Sequence, residues 1–229
     1  MSDSCEMHII AHLYNDFRTK FGVPRQSGLA EVPARIVFTP PYRNPDALRG
    51  IEGFSHLWLI WQFSEAVRDA WSPTVRPPRL GGNTRMGVFA TRSPYRPNAL
   101  GLSCVRLCGI EHTENEGDVL VVSGADLMNG TPLVDVKPYL AYTDSHPDAA
   151  EGFTAAPFHE LSIDFPPELA EKIPPEKLSA LCAALRQDPR PQYHRDPERV
   201  YGLPFGQWDV RFTVAGDTLT VKEVAAADG

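Results

Sequence analysis

Apolar residues along the chain recur in short runs with the two-residue alternation typical of β-strands. Pro, Gly and Asn clusters separate these runs, which are rich in β-branched and aromatic residues. The predicted strands are ARIVF (34–38), SHLWLIWQF (55–63), GVFAT (87–91), LSCVRLCGI (102–110) and DVLVVSGADL (118–127). SHLWLIWQF is almost continuously apolar, so we expect both of its faces to be buried. No strand is regularly followed by a long amphipathic helix, which argues against a doubly wound α/β sheet and favours a barrel or sandwich.

The last third of the chain has a different pattern. Residues 143–165 show weak periodicity and are predicted to form a loop or linker. PPEKLSALCAALRQ (174–187) predicts a short helix that begins near a proline. Its apolar face is formed by Leu178, Leu181, Cys182 and Leu185. WDVRFTV (208–214) and DTLTVKEV (217–224), joined by an Ala-Gly turn, predict a hairpin.

These patterns divide the chain into two predicted units. Residues 1–145 are expected to form a mainly β domain, either a barrel or a sandwich, and residues 160–229 a small α+β domain. No run of 18 apolar residues occurs, so we expect no membrane span. The N-terminus lacks the basic and apolar regions of a secretory signal. We therefore expect a cytoplasmic protein with reduced thiols, among which Cys104 and Cys108 are predicted to lie in the core.

Charge is distributed unevenly along the sequence. The net charge is −7, and residues 144–229 alone hold 15 acidic and 8 basic residues. Residues 70–110, in contrast, contain six arginines and no Asp or Glu. The six are Arg76, Arg79, Arg85, Arg92, Arg96 and Arg106. Guanidinium groups on a backbone braced by Pro and Gly suit an anionic partner such as phosphate or carboxylate.

Common cofactor motifs are missing from the sequence. GxGxxG after a strand and GxxxxGK[ST] are both missing, and the Cys and His residues do not cluster with metal-ligand spacing. Polar residues instead gather in turn-rich segments such as GVPRQ (22–26) and DLMNGTP (126–132). The two-residue strand period places Asp135, Lys137 and Tyr139 on one face of an extended segment.

Several motifs together resemble a known family. FGVPRQ, GFSHLWLIW, RPPRLGGN, GVFATRSPYRPN and ADLMNGTPLVDVKPY occur in this order. They resemble the TrmO family, also called TsaA-like or YaeB, and DPRPQY and WDVRFTV resemble the extra domain of its bacterial members. The resemblance implies a homodimeric, cytoplasmic, S-adenosylmethionine-dependent tRNA methyltransferase whose N-terminal domain is a single-sheet β-barrel. Its substrate would be N6 of threonylcarbamoyladenosine, next to the anticodon of threonine tRNA.

Site residues follow from the resemblance by motif position. The candidates for binding S-adenosylmethionine are Pro24, Arg25, Gln26, His56, Leu57, Arg92, Leu102, Asp126, Leu127, Met128 and Asn129. We expect an arginine to bind the cofactor carboxylate, Asp126 its ribose or amino group, and leucines its adenine. Arg76, Arg79, Arg85 and Arg96 are the candidates for binding tRNA. No metal is expected.

Candidate catalytic residues are Asp135, Lys137 and Tyr139. The N6 nitrogen is a urea-type N–H and a poor nucleophile, so catalysis needs alignment and loss of a proton. Asp135 ranks above His56 and Tyr139 as a general base, which typically contributes about two to four orders of magnitude. The alternative is that Asp135 pairs with Lys137 or an arginine and only shapes its segment.

Two departures from the family pattern keep other functions open. HLYND (12–16) replaces an Arg-Ser-Pro-like stretch, and Asn129 replaces an aspartate. The asparagine keeps a hydrogen-bond acceptor but loses a charge. The alternatives are a non-catalytic module that binds S-adenosylmethionine or RNA, and a methyltransferase of the same fold with another acceptor.

Overall fold

A computed structural model describes residues 4–67, 70–155, 159–191, 194 and 196–227. The strands are β1 (Ala11–Tyr14), β2 (Pro33–Phe38), β3 (His56–Gln62), β4 (Thr74–Val75), β5 (Met86–Gly87), β6 (Leu100–Thr113), β7 (Gly117–Ser123), β8 (Thr131–Pro138), β9 (Ser162–Asp164), β10 (Tyr201–Phe205), β11 (Trp208–Ala215) and β12 (Thr218–Ala226). The α-helices are α1 (Ala141–Asp144), α2 (Pro167–Ala170) and α3 (Pro175–Arg186). The prediction of a mainly β protein is confirmed.

Six strands form one closed antiparallel sheet. Their order is β1-β2-β7-β6-β3-β8, and β8 returns to pair with β1. Closure leaves no strand of this sheet with an unpaired edge. Between β3 and β6, the chain leaves the sheet for a Pro- and Gly-rich excursion, whose described residues form the two-residue strands β4 and β5 and three 3-10 turns. That excursion contains most of the arginines of residues 70–110.

The structure corrects two of the predicted strands. GVFAT does not form a strand beyond Gly87, because Val88–Ala90 is a 3-10 turn that buries Val88 and leaves Phe89 exposed. In addition, β7 ends at Ser123, where Gly124 has a φ of +86°. Residues 124–130 are therefore a loop that leaves the end of the sheet.

Strand β3 is not buried on both faces as expected. Leu57, Leu59 and Trp61 point into the sheet's interior, while the side chains between them are half-buried. The outward face is covered by a short segment near α1, where the Trp58 indole donates to the Asp144 carboxylate at 2.9 Å and contacts the Tyr139 ring. The continuous apolar run of β3 is therefore explained by its buried inner face and by the partial burial of its outer face under that segment.

The predicted C-terminal elements are confirmed. Helix α3 buries Leu181 and Leu185, and β11 and β12 form the expected hairpin. Together with β10 and β9 they make a second sheet of order β10-β11-β12-β9, in which β9 runs parallel to β12. The strands β1, β4, β9 and β10 were missed, because each is short or interrupted by Pro or Gly. Strand β8 was expected only as an extended segment around residues 135–139.

Two apolar cores hold the molecule together. One fills the closed sheet, and the other lies between α3 and the C-terminal sheet. The second core also contains Phe17, Ala30 and Val32, which come from the N-terminal part of the chain. Phe17 has no exposed surface, and its ring meets that of Phe205 edge-on, 5.6 Å between centroids. The C-terminal elements therefore complete the burial of the segment between β1 and β2.

Cysteine placement is partly as expected. All four cysteines are free thiols, and Cys104 is partly buried. Cys108 is exposed, contrary to the prediction, because it lies in a bulge between Leu107 and Gly109 that breaks the inward-outward alternation. No helix within the described ranges is long and apolar enough to cross a membrane.

Candidate functional site

A cavity of about 1050 Å³ lies beside one end of the closed sheet. It is bounded by the end of β3, the start of β6, and the loops 23–26, 89–98 and 126–130. Its volume is at the upper end of the range for small-molecule sites, about 300–1,000 Å³. Because loop 89–98 runs directly into β6, these features belong to four segments, 20–26, 61–66, 89–102 and 126–131, which meet around one space.

Gly22 positions the first of these loops. Its φ is +91°, and a Cβ there would lie 2.2 Å from a methyl of Leu203 in the C-terminal sheet. Only glycine fits this turn without moving Leu203. The turn delivers Pro24, Arg25 and Gln26 to the cavity, where the Arg92 guanidinium donates to the Gln26 side-chain oxygen.

Asp126 is the most shielded acid of the cavity wall. The buried Ser103 hydroxyl donates to its carboxylate, and the Trp61 indole donates to the same hydroxyl at 2.9 Å. Burial raises the pKa of Asp126, against the opposing effects of the Ser103 hydrogen bond and the Arg92 charge. The Asp126 carboxylate therefore lines the cavity, and its hydrogen bonds within the protein fix the orientation of the side chain.

Three arginines line the cavity: Arg25, Arg92 and Arg96. Arg96 donates to the Thr91 carbonyl at 3.2 Å. Burial lowers the pKa of Arg25, Asp188 opposes this shift, and the positive charge of Arg79 adds to it. Arg79 therefore lies near the cavity as well. The three lining arginines give the cavity wall a local positive charge.

Apolar surface completes the lining. Leu102 is 54% exposed on β6, and Phe89 is 72% exposed. Exposed apolar side chains beside arginines and a shielded acid offer contacts for both the flat and the charged parts of a ligand.

Nine of the eleven predicted cofactor residues line this cavity, and two do not. His56 and Leu57 lie at the opposite end of β3 from Trp61. Leu57 has no exposed surface and packs in the core of the closed sheet. His56 contacts Ser55 and the Tyr139 ring instead. The structure therefore does not bring these two residues to the cavity.

The predicted catalytic residues also lie outside the cavity lining. On β8, Lys137 Nζ pairs with an Asp135 carboxylate oxygen at 2.9 Å, and the Val136 amide donates to the other oxygen. Tyr139 packs against His56 and Trp58. This is the pairing that the sequence offered as the alternative to a catalytic role. The side chain of Asp135 is 42% exposed.

The predicted RNA-binding arginines lie on and around the excursion. Arg76 and Arg85 are exposed, Arg79 donates to the Thr154 carbonyl at 2.8 Å, and Arg96 lines the cavity. Beside them, the exposed rings of Trp71 and Phe89 approach each other to 6.0 Å.

Several lining residues were missed by the sequence analysis. They are Lys20, Trp61, Phe63, Ser64, Glu65, Thr91, Tyr95 and Asn98. Lys20 and Glu65 form an ion pair of 3.2 Å at the cavity. The available signal was the run of polar residues that directly follows the most apolar strand.

Asn129 keeps an acceptor role. Its side-chain oxygen accepts a hydrogen bond from the backbone amide of Asn15 at 3.0 Å. The backbone amide of Asn129 donates to the Phe17 carbonyl. Asn15 in turn donates to the Leu127 carbonyl at 2.8 Å. The two segments that depart from the family pattern therefore contact each other and hold the 126–130 loop.

A closed β-sheet whose end loops join arginines, a shielded carboxylate and apolar walls is typical of a protein that binds a zwitterionic or phosphorylated small molecule. Comparison with known proteins narrows this class. Residues 12–145 match the tRNA-methyltransferase O N-terminal domain, and residues 159–227 match the TrmO C-terminal domain. The chain belongs to the TrmO family, and the resemblance found in the sequence is confirmed.

The relatives cover almost the whole chain. An Escherichia coli K12 protein named tRNA (adenine(37)-N6)-methyltransferase is 39% identical over 221 residues, which is 92% of this chain and 94% of that protein. A Pseudomonas aeruginosa protein named putative S-adenosylmethionine-dependent methyltransferase RcsF is 38% identical over 96% of this chain and 97% of its own length. The crystal structure of TrmO from P. aeruginosa has a TM-score of 0.79 at 32% identity, with 99% of both chains covered.

Proposed function

We propose that this protein is an S-adenosylmethionine-dependent tRNA (adenine-N6)-methyltransferase, and that its acceptor is N6 of threonylcarbamoyladenosine next to the anticodon of threonine tRNA. The observation that carries the proposal is the cavity, which gathers residues of the family's motifs from four distant segments. The names of relatives that cover most of this chain support the activity and the cofactor. The closure of the sheet by β1 and β8 supports the single-sheet barrel, and the two family matches support the two-domain division.

The cavity residues fit the chemical groups of S-adenosylmethionine. Arg25 and Arg92 suit its carboxylate, because a guanidinium binds a carboxylate through two parallel hydrogen bonds. Asp126 suits the ribose diol or the amino group, and exposed Leu102 suits the adenine face. When bound, the cofactor supplies an activated methyl group. The chain's own residues would hold it in the cavity.

The surface beside the cavity suits RNA. Arg76 and Arg85 are exposed and can contact phosphates, while the exposed Trp71 and Phe89 rings can stack on unpaired bases. Phe89 lines the cavity as well, so the aromatic pair continues into it. A flipped or loop nucleotide would therefore pass from stacking rings to the cavity.

We also propose a homodimer and a cytoplasmic enzyme. In a site shared between two subunits, the second copy would add an arginine at the open side of the cavity. Light scattering during size exclusion tests this, and a monomer mass at working concentration contradicts it.

The first experiment is incubation of the protein with methyl-labelled S-adenosylmethionine and total tRNA from cells that do or do not make threonylcarbamoyladenosine. We expect label only in tRNA that carries the modification. Label in both samples would support the methyltransferase activity but would show that the acceptor is a different group. Cofactor binding without any label would favour the non-catalytic module.

Asp135 remains the proposed general base, with Lys137 paired to it and Tyr139 farther along the same segment. Its exposure leaves it accessible to bound RNA. In the same assay, Asp135→Asn is expected to lower turnover by about 10²- to 10⁴-fold. Glu111→Gln, which removes a carboxylate from an exposed ion pair of the same sheet, is the control. Near-normal turnover of Asp135→Asn would assign the residue to the ion pair with Lys137 alone.

Replacing Arg76 and Arg85 together by Ala is expected to weaken tRNA binding and to flatten its salt dependence. If each arginine contacts one phosphate, the slope of log K against log salt should fall by about 0.7–0.9 per arginine. Fluorescence anisotropy from low to moderate salt measures the slope. Lys222→Ala removes an exposed positive charge from β12 and should leave the slope unchanged. An unaltered slope in the double variant would place the phosphate contacts elsewhere.

A further inference from the structure

We propose that the loop after α3 holds Arg25 in place at the cavity, with Asp188 and Arg190 as positioning residues. This inference rests on the proposed function, because it assumes that the cavity binds S-adenosylmethionine. It assigns the C-terminal unit a part in cofactor binding, although none of the described residues of that unit lines the cavity.

A direct hydrogen bond links the two units at this point. One Arg25 guanidinium nitrogen donates to the backbone carbonyl of Asp188 at 3.1 Å, across 163 residues of sequence. Such a partner favours the charged form of Arg25, because the side chain is half-buried and lies near the positive charge of Arg79. Asp188 is the nearby group that favours the charged guanidinium. A fixed acceptor thus determines where this arginine lies on the cavity wall.

The backbone of Asp188 is in an unusual conformation. Its φ is +47°, and among the described residues it is the one non-glycine with a positive φ. Left-handed residues commonly end helices, and glycine is the usual choice. An aspartate at this position indicates that its side chain has a use that glycine would lack.

That use is a tight pair with Arg190. One carboxylate oxygen of Asp188 accepts from Arg190 Nε at 2.8 Å, and the other accepts from an Nη at 3.0 Å. Both side chains are mostly buried, with exposures of 24% and 14%. The same carboxylate also accepts from the Arg190 backbone amide at 3.3 Å. A bidentate pair of this kind fixes residues 188–190, and with them the carbonyl that Arg25 contacts.

The test uses Asp188→Asn. Asparagine tolerates the left-handed conformation and keeps the backbone carbonyl, but it loses the charged pair with Arg190. We expect the dissociation constant for S-adenosylmethionine, measured by calorimetry, to rise about three- to tenfold, with turnover at saturating cofactor changed less. Asp209→Asn is the matched control, because Asp209 and Arg211 form a similar pair two residues apart on β11, outside the cavity lining.

A double-mutant cycle separates positioning from general destabilisation. In an Arg25→Ala background, Asp188→Asn should have no further effect on cofactor binding. Equal binding by wild type and Asp188→Asn, or an effect that persists without Arg25, would overturn the proposal.

A second readout does not depend on the cofactor. The side-chain Nη–H signals of Arg25 in NMR, assigned by their loss in Arg25→Lys, should exchange slowly with water in wild type and faster in Asp188→Asn, because an Nη donates to the Asp188 carbonyl. If wild type does not bind S-adenosylmethionine, the proposed function fails, and the exchange rates still decide the positioning. Unchanged exchange in Asp188→Asn would contradict it.

Discussion

Asp126→Asn is expected to weaken binding of S-adenosylmethionine about 10- to 100-fold without loss of folding stability. Hydrogen bonds to charged groups contribute about 1.5–3 kcal/mol, which corresponds to this range. The variant keeps an oxygen that can accept from Ser103, so the contact that orients the side chain survives. Calorimetric titration and thermal unfolding measure the two effects.

The pKa of Asp126 gives this prediction a pH dependence. Burial raises that pKa in the folded state, so the folded protein binds more protons than the unfolded chain between the ordinary and the raised values. Stability therefore falls as pH rises through this interval, and remains level above it. Asp126→Asn removes this component and should be as stable as wild type or more stable at neutral pH. Wild-type cofactor binding should weaken in acid as the carboxylate is protonated.

Asp118→Asn is the matched control for this prediction. Asp118 is also a mostly buried carboxylate, with 22% of its side chain exposed, but it lies on β7 beside His112 and does not line the cavity. Its replacement should leave cofactor affinity unchanged. Equal affinities for wild type and Asp126→Asn would show that the carboxylate does not contact the cofactor.

Phe17→Ala is expected to lower the free energy of unfolding by about 3–5 kcal/mol. The ring is fully buried between the two units, against Phe205 of the C-terminal sheet. Its loss leaves a hole that neither unit can fill alone, so both should lose stability together. Urea unfolding followed by tryptophan fluorescence and by circular dichroism measures the change.

Phe89→Ala makes the same substitution at a ring that is 72% exposed. It should change stability by no more than about 0.5 kcal/mol. A small effect of Phe17→Ala, or separate transitions for the two units, would contradict the shared core. The shared core also means that deleting residues 160–229 would expose Phe17, Ala30 and Val32. The folding of such a deletion variant would therefore have to be measured before any change in its tRNA binding could be assigned to the deleted residues.

Local patterns predicted the strands with alternating, β-branched segments, and they predicted α3 and the final hairpin. They failed at GVFAT, where the residues favour a strand but the surrounding Pro- and Gly-rich excursion offers almost no partner to pair with. They also missed β10, whose Gly202 and Pro204 weaken the strand signal although β11 pairs with it. Pairing partners, which are distant in sequence, decided these cases.

In the candidate site, too, the sequence predicted some features and the tertiary structure decided others. Motif resemblance identified Arg25, Arg92 and Asp126, and the structure brings all three to one cavity. It also proposed Leu57, which shares a face of β3 with Trp61 but lies at the other end of the strand. The two-residue period gives the face of a strand on which a side chain lies, but not the end of the sheet at which a cavity forms.

The sequence by itself determined the mainly β character, the apolar faces, the arginine-rich segment and the family, because each depends on residue types at short spacing. Only the tertiary structure decided that loops 23–26 and 126–130 meet the end of β3, and that Asp188 reaches Arg25. It also decided that Phe17 belongs to the C-terminal core. These contacts join residues that are far apart in the sequence, and they follow from how the closed sheet pairs its strands and how the two cores exclude water.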